Sequence, residues 1–207
     1  MSTFRLLSAL LCYPEQELID ALPSLVAMET TPELQCFMRE LGAMDLLDAQ
    51  ERYVALFDRN RSLSLHLYEH VHGESRDRGQ AMVRLATLYE LHGLAIDAHE
   101  LPDYLPLYLE FLSLLPERAA RSLLAEAAHV IAALAEKLEA RRSGYGVVMR
   151  AVLALAARAP DADAVADVRG QLAAEQDSLQ VLDRQWEEEA VRFTAAGSPE
   201  ACNEPVR

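Results

Sequence analysis

Cysteine is scarce: Cys12, Cys36 and Cys202 are odd in number, far apart and never spaced as Cys-x-x-Cys. That excludes a disulfide framework and a zinc knuckle as the organising element. Cys12 and Cys36 read as small buried hydrophobes and Cys202 as a tail residue. No run of about 18 apolar residues occurs. The start, Met-Ser-Thr-Phe-Arg, leads into an amphipathic helix without a cleavage site. Neither a membrane span nor a secretory signal is therefore expected, and the cytoplasm is the expected compartment. Strand signals are missing as well, because no segment alternates and Thr, Val and Ile never cluster. Positive charge is deficient, with 19 Lys and Arg against 33 Asp and Glu and a formal net charge of -14. A nucleic-acid duplex or an anionic lipid surface would repel such a chain, so basic partners are favoured.

What the chain does contain is apolar material, 51% of its residues, in helical spacing. Leu46, Tyr53, Val54 and Phe57 recur at helical intervals, as do Met82, Leu85, Leu88, Tyr89 and Ile96, and again Leu124, Ala128, Ile131, Leu134 and Leu138. These predict core-facing stripes of an all-α bundle. Tyr13-Pro14 ends a first helix, Thr30-Thr31-Pro32-Glu33 opens another with proline at its first position, and Gly93 lies near the end of a segment over 77–97. In Glu100-Leu101-Pro102-Asp103-Tyr104-Leu105-Pro106, Asp103 is placed to cap a helix whose first turn tolerates Pro106. Leu105, Tyr108, Leu109 and Leu112 form its buried face, leaving Glu110 and Ser113 exposed or lining a pocket. After Ala159-Pro160 the composition shifts, and residues 161–207 hold eleven Asp or Glu against four Arg, -7 of the -14. The expected division is a helical domain over 1–160 and an acidic appendage over 161–207, helical at Leu172, Leu179, Leu182, Trp186 and Phe193 and then disordered.

Residues able to do chemistry are concentrated between 56 and 115. His66, His70 and His72 with Glu69 and Glu74 invite a metal reading, since two histidines four apart share a helix face. There is no His-Glu-x-x-His arrangement and no third ligand on a second helix, so a metal-dependent hydrolase on His66 and His70 is the weaker alternative. Arg59, Arg61, Arg76 and Arg78 either pair with Asp58, Glu74 and Asp77 or form an anion cradle where Arg76-Asp77-Arg78-Gly79 begins a helix. The cradle would suit a direct carrier of a phosphate-bearing cofactor. No serine lies in Gly-x-Ser-x-Gly and no cysteine has a histidine partner by motif, so no enzyme and no resident cofactor are expected. An acidic bundle with a polar and aromatic groove suits a basic, amphipathic helix laid into it.

Two blocks carry a resemblance. Residues 56–80, from Leu-Phe-Asp-Arg-Asn-Arg through His-Leu-Tyr-Glu-His-Val-His-Gly-Glu to Gly-Gln, and residues 100–112, Glu-Leu-Pro-Asp-Tyr-Leu-Pro-Leu-Tyr-Leu-Glu-Phe-Leu, resemble the signature of NarJ-type chaperones. These are relatives of the TorD and DmsD chaperones, and residues from about 4 to 158 look like one complete domain of the type. The relatives carry a Glu-Pro-x-Asp-His motif beside their peptide pocket; Glu100-Leu101-Pro102-Asp103-Tyr104 is similar, with tyrosine for histidine and the proline displaced by one. The resemblance implies a single helical bundle of the TorD-like type. Its implied role is a cytoplasmic chaperone that binds the apo α subunit of nitrate reductase, including its N-terminal segment. It would keep that subunit competent for molybdenum cofactor and iron-sulfur insertion before membrane attachment, with cofactor-delivery proteins as further partners. Tyr68, His70, Glu74, Arg76, Asp77, Glu100, Pro102, Asp103, Tyr104 and Glu110 are the expected client-binding residues, from their crowding in the two blocks.

Overall fold

In the computed structural model, which describes residues 2–29, 31–72, 76–96 and 100–173, the apolar stripes close on one another as helices. They run α1 (Thr3–Leu11), α2 (Gln16–Met28), α3 (Pro32–Gly42), α4 (Leu46–Tyr53), α5 (Glu69–His72), α6 (Arg76–Leu91), α7 (Leu105–Ser113), α8 (Glu117–Glu126), α9 (Ala128–Ala140) and α10 (Tyr145–Ala154). No strand occurs among the described residues; His66 and Tyr104 form an isolated antiparallel bridge. The all-α reading holds. α10 packs on α9, α1 and α3, while α1 packs on α7, so α1 and α10 lie at the centre. Leu7, Leu10, Leu11, Leu109, Leu112, Ile131, Leu134, Val148 and Val152 fill the space between them and are fully buried.

The helix boundaries follow the local signals with instructive differences. Pro32 opens α3 as expected, its missing N–H falling where the helix has no use for one. Gly93 adopts φ +75° and ends α6 in a Schellman turn. Its N–H donates to the Glu90 carbonyl at 2.8 Å, and Leu94 N–H to that of Tyr89 at 3.1 Å. The stripe read over 46–57 divides into α4 and a π-helical turn at Val54–Asp58, which keeps Tyr53 and Phe57 both buried. Cys36, expected inside, is exposed, because Leu34, Phe37, Met38 and Leu41 occupy the core face of α3 and the thiol falls outside it. Cys12 is partly buried, and burial pushes its thiol up to about 11.

Residues 162–173 are helical, with Val165, Val168 and Leu172 buried in the same core cluster as the bundle. Lys137 Nζ donates to the Leu172 carbonyl at 3.3 Å, and Arg169 pairs with Glu136 at 2.6 Å. Leu179, Leu182, Trp186, Phe193 and Cys202 lie outside the described residues. Between α9 and α10, Arg150 grips Glu139 through two nitrogens at 2.6 and 2.8 Å, which lowers the carboxyl pKa and raises that of the guanidinium.

Two glycines separate close packing from free space. A Cβ on Gly144 would lie 2.6 Å from Phe37 Cδ2, whereas one on Gly79, inside α6, would meet nothing within 4 Å. Gly144→Ala is expected to lower stability by about 1–3 kcal/mol through overpacking. Gly79→Ala is expected to raise it by about 0.4–1 kcal/mol through reduced unfolded-state entropy. Urea unfolding followed by circular dichroism reads both.

Candidate functional site

Between the π-helical turn and α5 the chain crosses the bundle as a strap, residues 59–68, with little regular structure beyond a 3-10 turn at Arg61–Leu63. Backbone in such a segment must find partners elsewhere if it is not to be left unpaired. It finds them on the turn before α7: Leu105 N–H donates to the Leu65 carbonyl at 2.8 Å, and Leu67 N–H to the Asp103 carbonyl at 3.1 Å. The Asp103 side chain completes the join. Its Oδ2 accepts from Tyr68 N–H at 2.9 Å, and its Oδ1 lies 3.2 Å from His66 Nδ1. Because a carboxylate only accepts, Nδ1 carries the proton of that bond. His66 is consequently raised above the ordinary histidine value, chiefly by the bond to Asp103 and against the opposing effect of burial.

Asp103 is therefore an internal staple, 0% exposed, and not the helix cap that its position before Pro106 suggests. The residue at the cap of α7 is Tyr104, which makes no side-chain capping bond. His70 is likewise inside, 2% exposed, its Nε2–H donating to the Ser64 carbonyl at 2.7 Å. His66 and His70 thus turn to different partners, and among the described residues no three His, Cys, Asp or Glu side chains come together as metal ligands. Arg61 pairs with Glu69 at 2.8 Å and ties the strap to α5.

Two cavities open along this strap. Ser64, Leu65 and His66 line the first, of about 330 Å³, together with Tyr13, Tyr53, Phe57, Asp58, Glu100 and Tyr104. Leu67, Tyr68 and Val71 line the second, of about 230 Å³, with Leu85, Tyr108, Glu126, Ala127, His129 and Val130. A third, of about 370 Å³, lies at the far end of α6 and α7, where Tyr89, Leu94, Leu107, Phe111 and Leu114 surround Glu110. The first cavity is braced by phenols. Tyr53 donates to the Leu11 carbonyl at 3.0 Å, so the 2.9 Å contact between the two hydroxyls is donated by Tyr104. Burial holds Tyr104 up to about 12 and Tyr53 higher still, so both stay neutral.

The residues expected at the site are accordingly dispersed. Tyr104 and Glu100 line the first cavity, Tyr68 the second and Glu110 the third. Pro102 is used structurally, its carbonyl accepting from the Tyr89 hydroxyl at 2.7 Å. Arg76 and Asp77 are exposed at the start of α6, while Glu74 and the side chain of His72 lie outside the described residues. Tyr13, Tyr53 and Phe57 were not singled out as site residues, since only the tertiary fold brings them to the strap. Locally the sequence marks Tyr13 as a helix end and Tyr53 and Phe57 as members of a core stripe.

The described residues thus form an all-α domain with open cavities along a stapled strap. The chain belongs to the nitrate reductase delta subunit family, whose model matches residues 20–151. It is 46% identical over 199 residues, 92% of this chain and 84% of the relative, to the nitrate reductase molybdenum cofactor assembly chaperone NarJ of Escherichia coli K12. It is also 39% identical over 210 residues, 100% of this chain and 90% of the relative, to the probable chaperone of the same description, NarW, of Escherichia coli K12. To the probable NarJ of Bacillus subtilis strain 168 it is 32% identical over 159 residues, 73% of this chain and 86% of the relative. The resemblance carried by the two sequence blocks thus extends over most of the chain.

The Asp103 staple has a consequence in solution. A His66 pKa above its ordinary 6.5 means that protonated His66 stabilises the fold fully below about pH 6.5, a contribution lost as pH rises through the folded-state value. Nuclear magnetic resonance titration of the His66 ring is expected to give a midpoint above 6.5 in the wild type and a lower one in Asp103→Asn. The substitution is also expected to destabilise by about 2–3 kcal/mol, because an amide nitrogen would face an N–H donor.

Proposed function

We propose that this chain is a non-catalytic, system-specific chaperone for the apo catalytic (α) subunit of nitrate reductase, working in the cytoplasm. It binds that subunit, including its N-terminal segment, and keeps it competent for molybdenum cofactor and iron-sulfur insertion before membrane attachment. The relatives, molybdenum cofactor assembly chaperones of nitrate reductase, supply the process. The single observation that carries the reading into this molecule is the pair of adjacent cavities on one stapled strap, one lined mainly by apolar groups and the other by phenols and carboxylates. A helix laid on this surface can offer an apolar and a polar or basic side chain at the i, i+3 and i+4 positions of one face, one for each cavity. No described helix is long and apolar enough to cross a membrane, which agrees with a partner that acts before attachment. The net charge of -14 favours a basic segment and raises its encounter rate.

Binding residues under this reading are Tyr68 with Val71 in the apolar cavity and Glu100 with Tyr104 in the polar one. Asp103, Pro102 and His70 hold the surface from beneath, and Glu74, Arg76, Asp77 and Glu110 are the further client-binding residues of this reading. Calorimetry with a peptide of the α subunit's N-terminal segment is expected to show one-to-one binding near 1 μM, about -8 kcal/mol. Val71→Asp, at a residue already 38% exposed, is expected to weaken binding at least about tenfold by placing a charge against an apolar anchor. In cells lacking the chain, the α subunit is expected to accumulate without molybdenum. Failure to bind either the peptide or the apo subunit, or a fully metallated α subunit in such cells, would overturn the assignment.

A further inference from the structure

The cavity beside Tyr104 has a chemistry more specific than a general acidic surface. Its walls are aromatic: Tyr13 meets Tyr53 edge-on at 5.6 Å between centroids, and Tyr53 lies 4.9 Å from Phe57. Three of its polar groups, the Tyr104 hydroxyl and the carboxylates of Asp58 and Glu100, face it as acceptors. The Tyr53 proton is committed to Leu11 and that of Tyr104 to Tyr53, so Tyr104 offers the cavity only lone pairs. Asp58 and Glu100, both exposed at the rim, have no ion-pair partner among the described residues. The Tyr104 pKa is raised chiefly by burial, and the carboxylates of Glu100 and Asp58 add to the shift. An anion would meet two negative charges there, and an apolar anchor would strand the acceptors without donors. A planar or tetrahedral cation supplies donors for the acceptors, charge for the carboxylates and a partner for the ring faces.

We infer that this cavity receives one basic side chain, arginine or lysine, of the client segment, held between the carboxylates of Asp58 and Glu100 over the rings of Tyr13, Tyr53 and Phe57. The inference rests on the chaperone reading and names which feature of the client that site selects. It gives the two cavities distinct tasks: the one at Val71 takes an apolar anchor, and the one at Tyr104 fixes the register of the segment by its charge.

The test uses the full chain and an N-acetylated peptide of the α subunit's N-terminal segment, so that no terminal ammonium contributes. Each arginine is replaced in turn by citrulline and each lysine by acetyl-lysine. Asp58→Asn/Glu100→Gln, at two exposed positions, is expected to weaken the parent peptide about tenfold. For one neutralised peptide, and not for the others, wild type and double variant are expected to bind within about twofold of each other. Asp20→Asn/Glu33→Gln, which removes the same charge from α2 and α3, is expected to cost less than about twofold, as screened charges at a distance should. Tyr13→Leu is expected to weaken the parent peptide and leave the critical neutralised one unchanged. Equal losses from the two double variants, or a loss shared by every peptide, would overturn the cation site while the chaperone reading stood. A parent peptide that fails to bind the wild type would remove both.

Discussion

A carboxylate taken wholly out of water is costly unless every lone pair it exposes is met, and Asp103 is such a carboxylate. What offsets the cost is a set of partners 35 and 37 residues away in sequence, the Tyr68 N–H and the His66 ring. The chain uses that pairing to hold in place the strap over 59–68, which no α-helix organises. With the backbone bonds Leu67 to Asp103 and Leu105 to Leu65, the strap is fixed at several points within a few residues. Both cavities take their lining from the strap on one side, so their shapes are set by a contact that lies beneath them. Pre-organisation of this kind matters for a binder, since ordering a surface at the moment of association would subtract directly from affinity.

The same staple explains which parts of the molecule are legible in the sequence. Helix positions are, because their signals are local: the 3.6-residue period places Ala128, Ile131, Leu134 and Leu138 on one face of α9, and all are buried, as is Leu124 across the break in α8. Pro32 and Gly93 act where their own backbone requires them. Asp103 could not be read this way, because an aspartate two residues before a Leu-Pro helix start reads locally as a cap. Only the folded strap, which brings Tyr68 N–H within 2.9 Å, competes successfully for its oxygens. His70 and Cys36 differ from expectation for complementary reasons. The histidine lies in a polar block yet goes inward, since a buried carbonyl at Ser64 needs a donor. The thiol lies beside apolar residues yet goes outward, since Phe37 and Met38 already take the core positions.

The concentration of polar, aromatic and turn residues between 56 and 115 has a double meaning for the same reason. A non-helical segment inside a helical domain needs many side-chain bonds, and those groups look in sequence like a binding surface. Part of the block serves the strap: Asp103, His70, Pro102, Arg61 and Glu69 are engaged internally. The residues left over, Tyr68, Glu100 and Tyr104, face the cavities. Burial and bonding, which are properties of the fold, divide the block into supports and surface where composition could not.

Charge obeys a similar division. Several arginines of the bundle are committed to carboxylates within the structure, as in the pairs of Arg52 with Glu40, Arg150 with Glu139 and Arg169 with Glu136. Exposed pairs of this kind contribute only about 0–1 kcal/mol each. Their larger effect is subtractive, since each committed cation is one fewer available to neutralise the remaining acids. Asp58 and Glu100 stand among those remaining acids, at the mouth of a cavity with aromatic walls. A long-range acidic field draws any basic segment toward the protein, but it cannot distinguish one register from another. Discrimination needs charge at a defined point on a rigid wall, and the strap stapled by Asp103 supplies the wall.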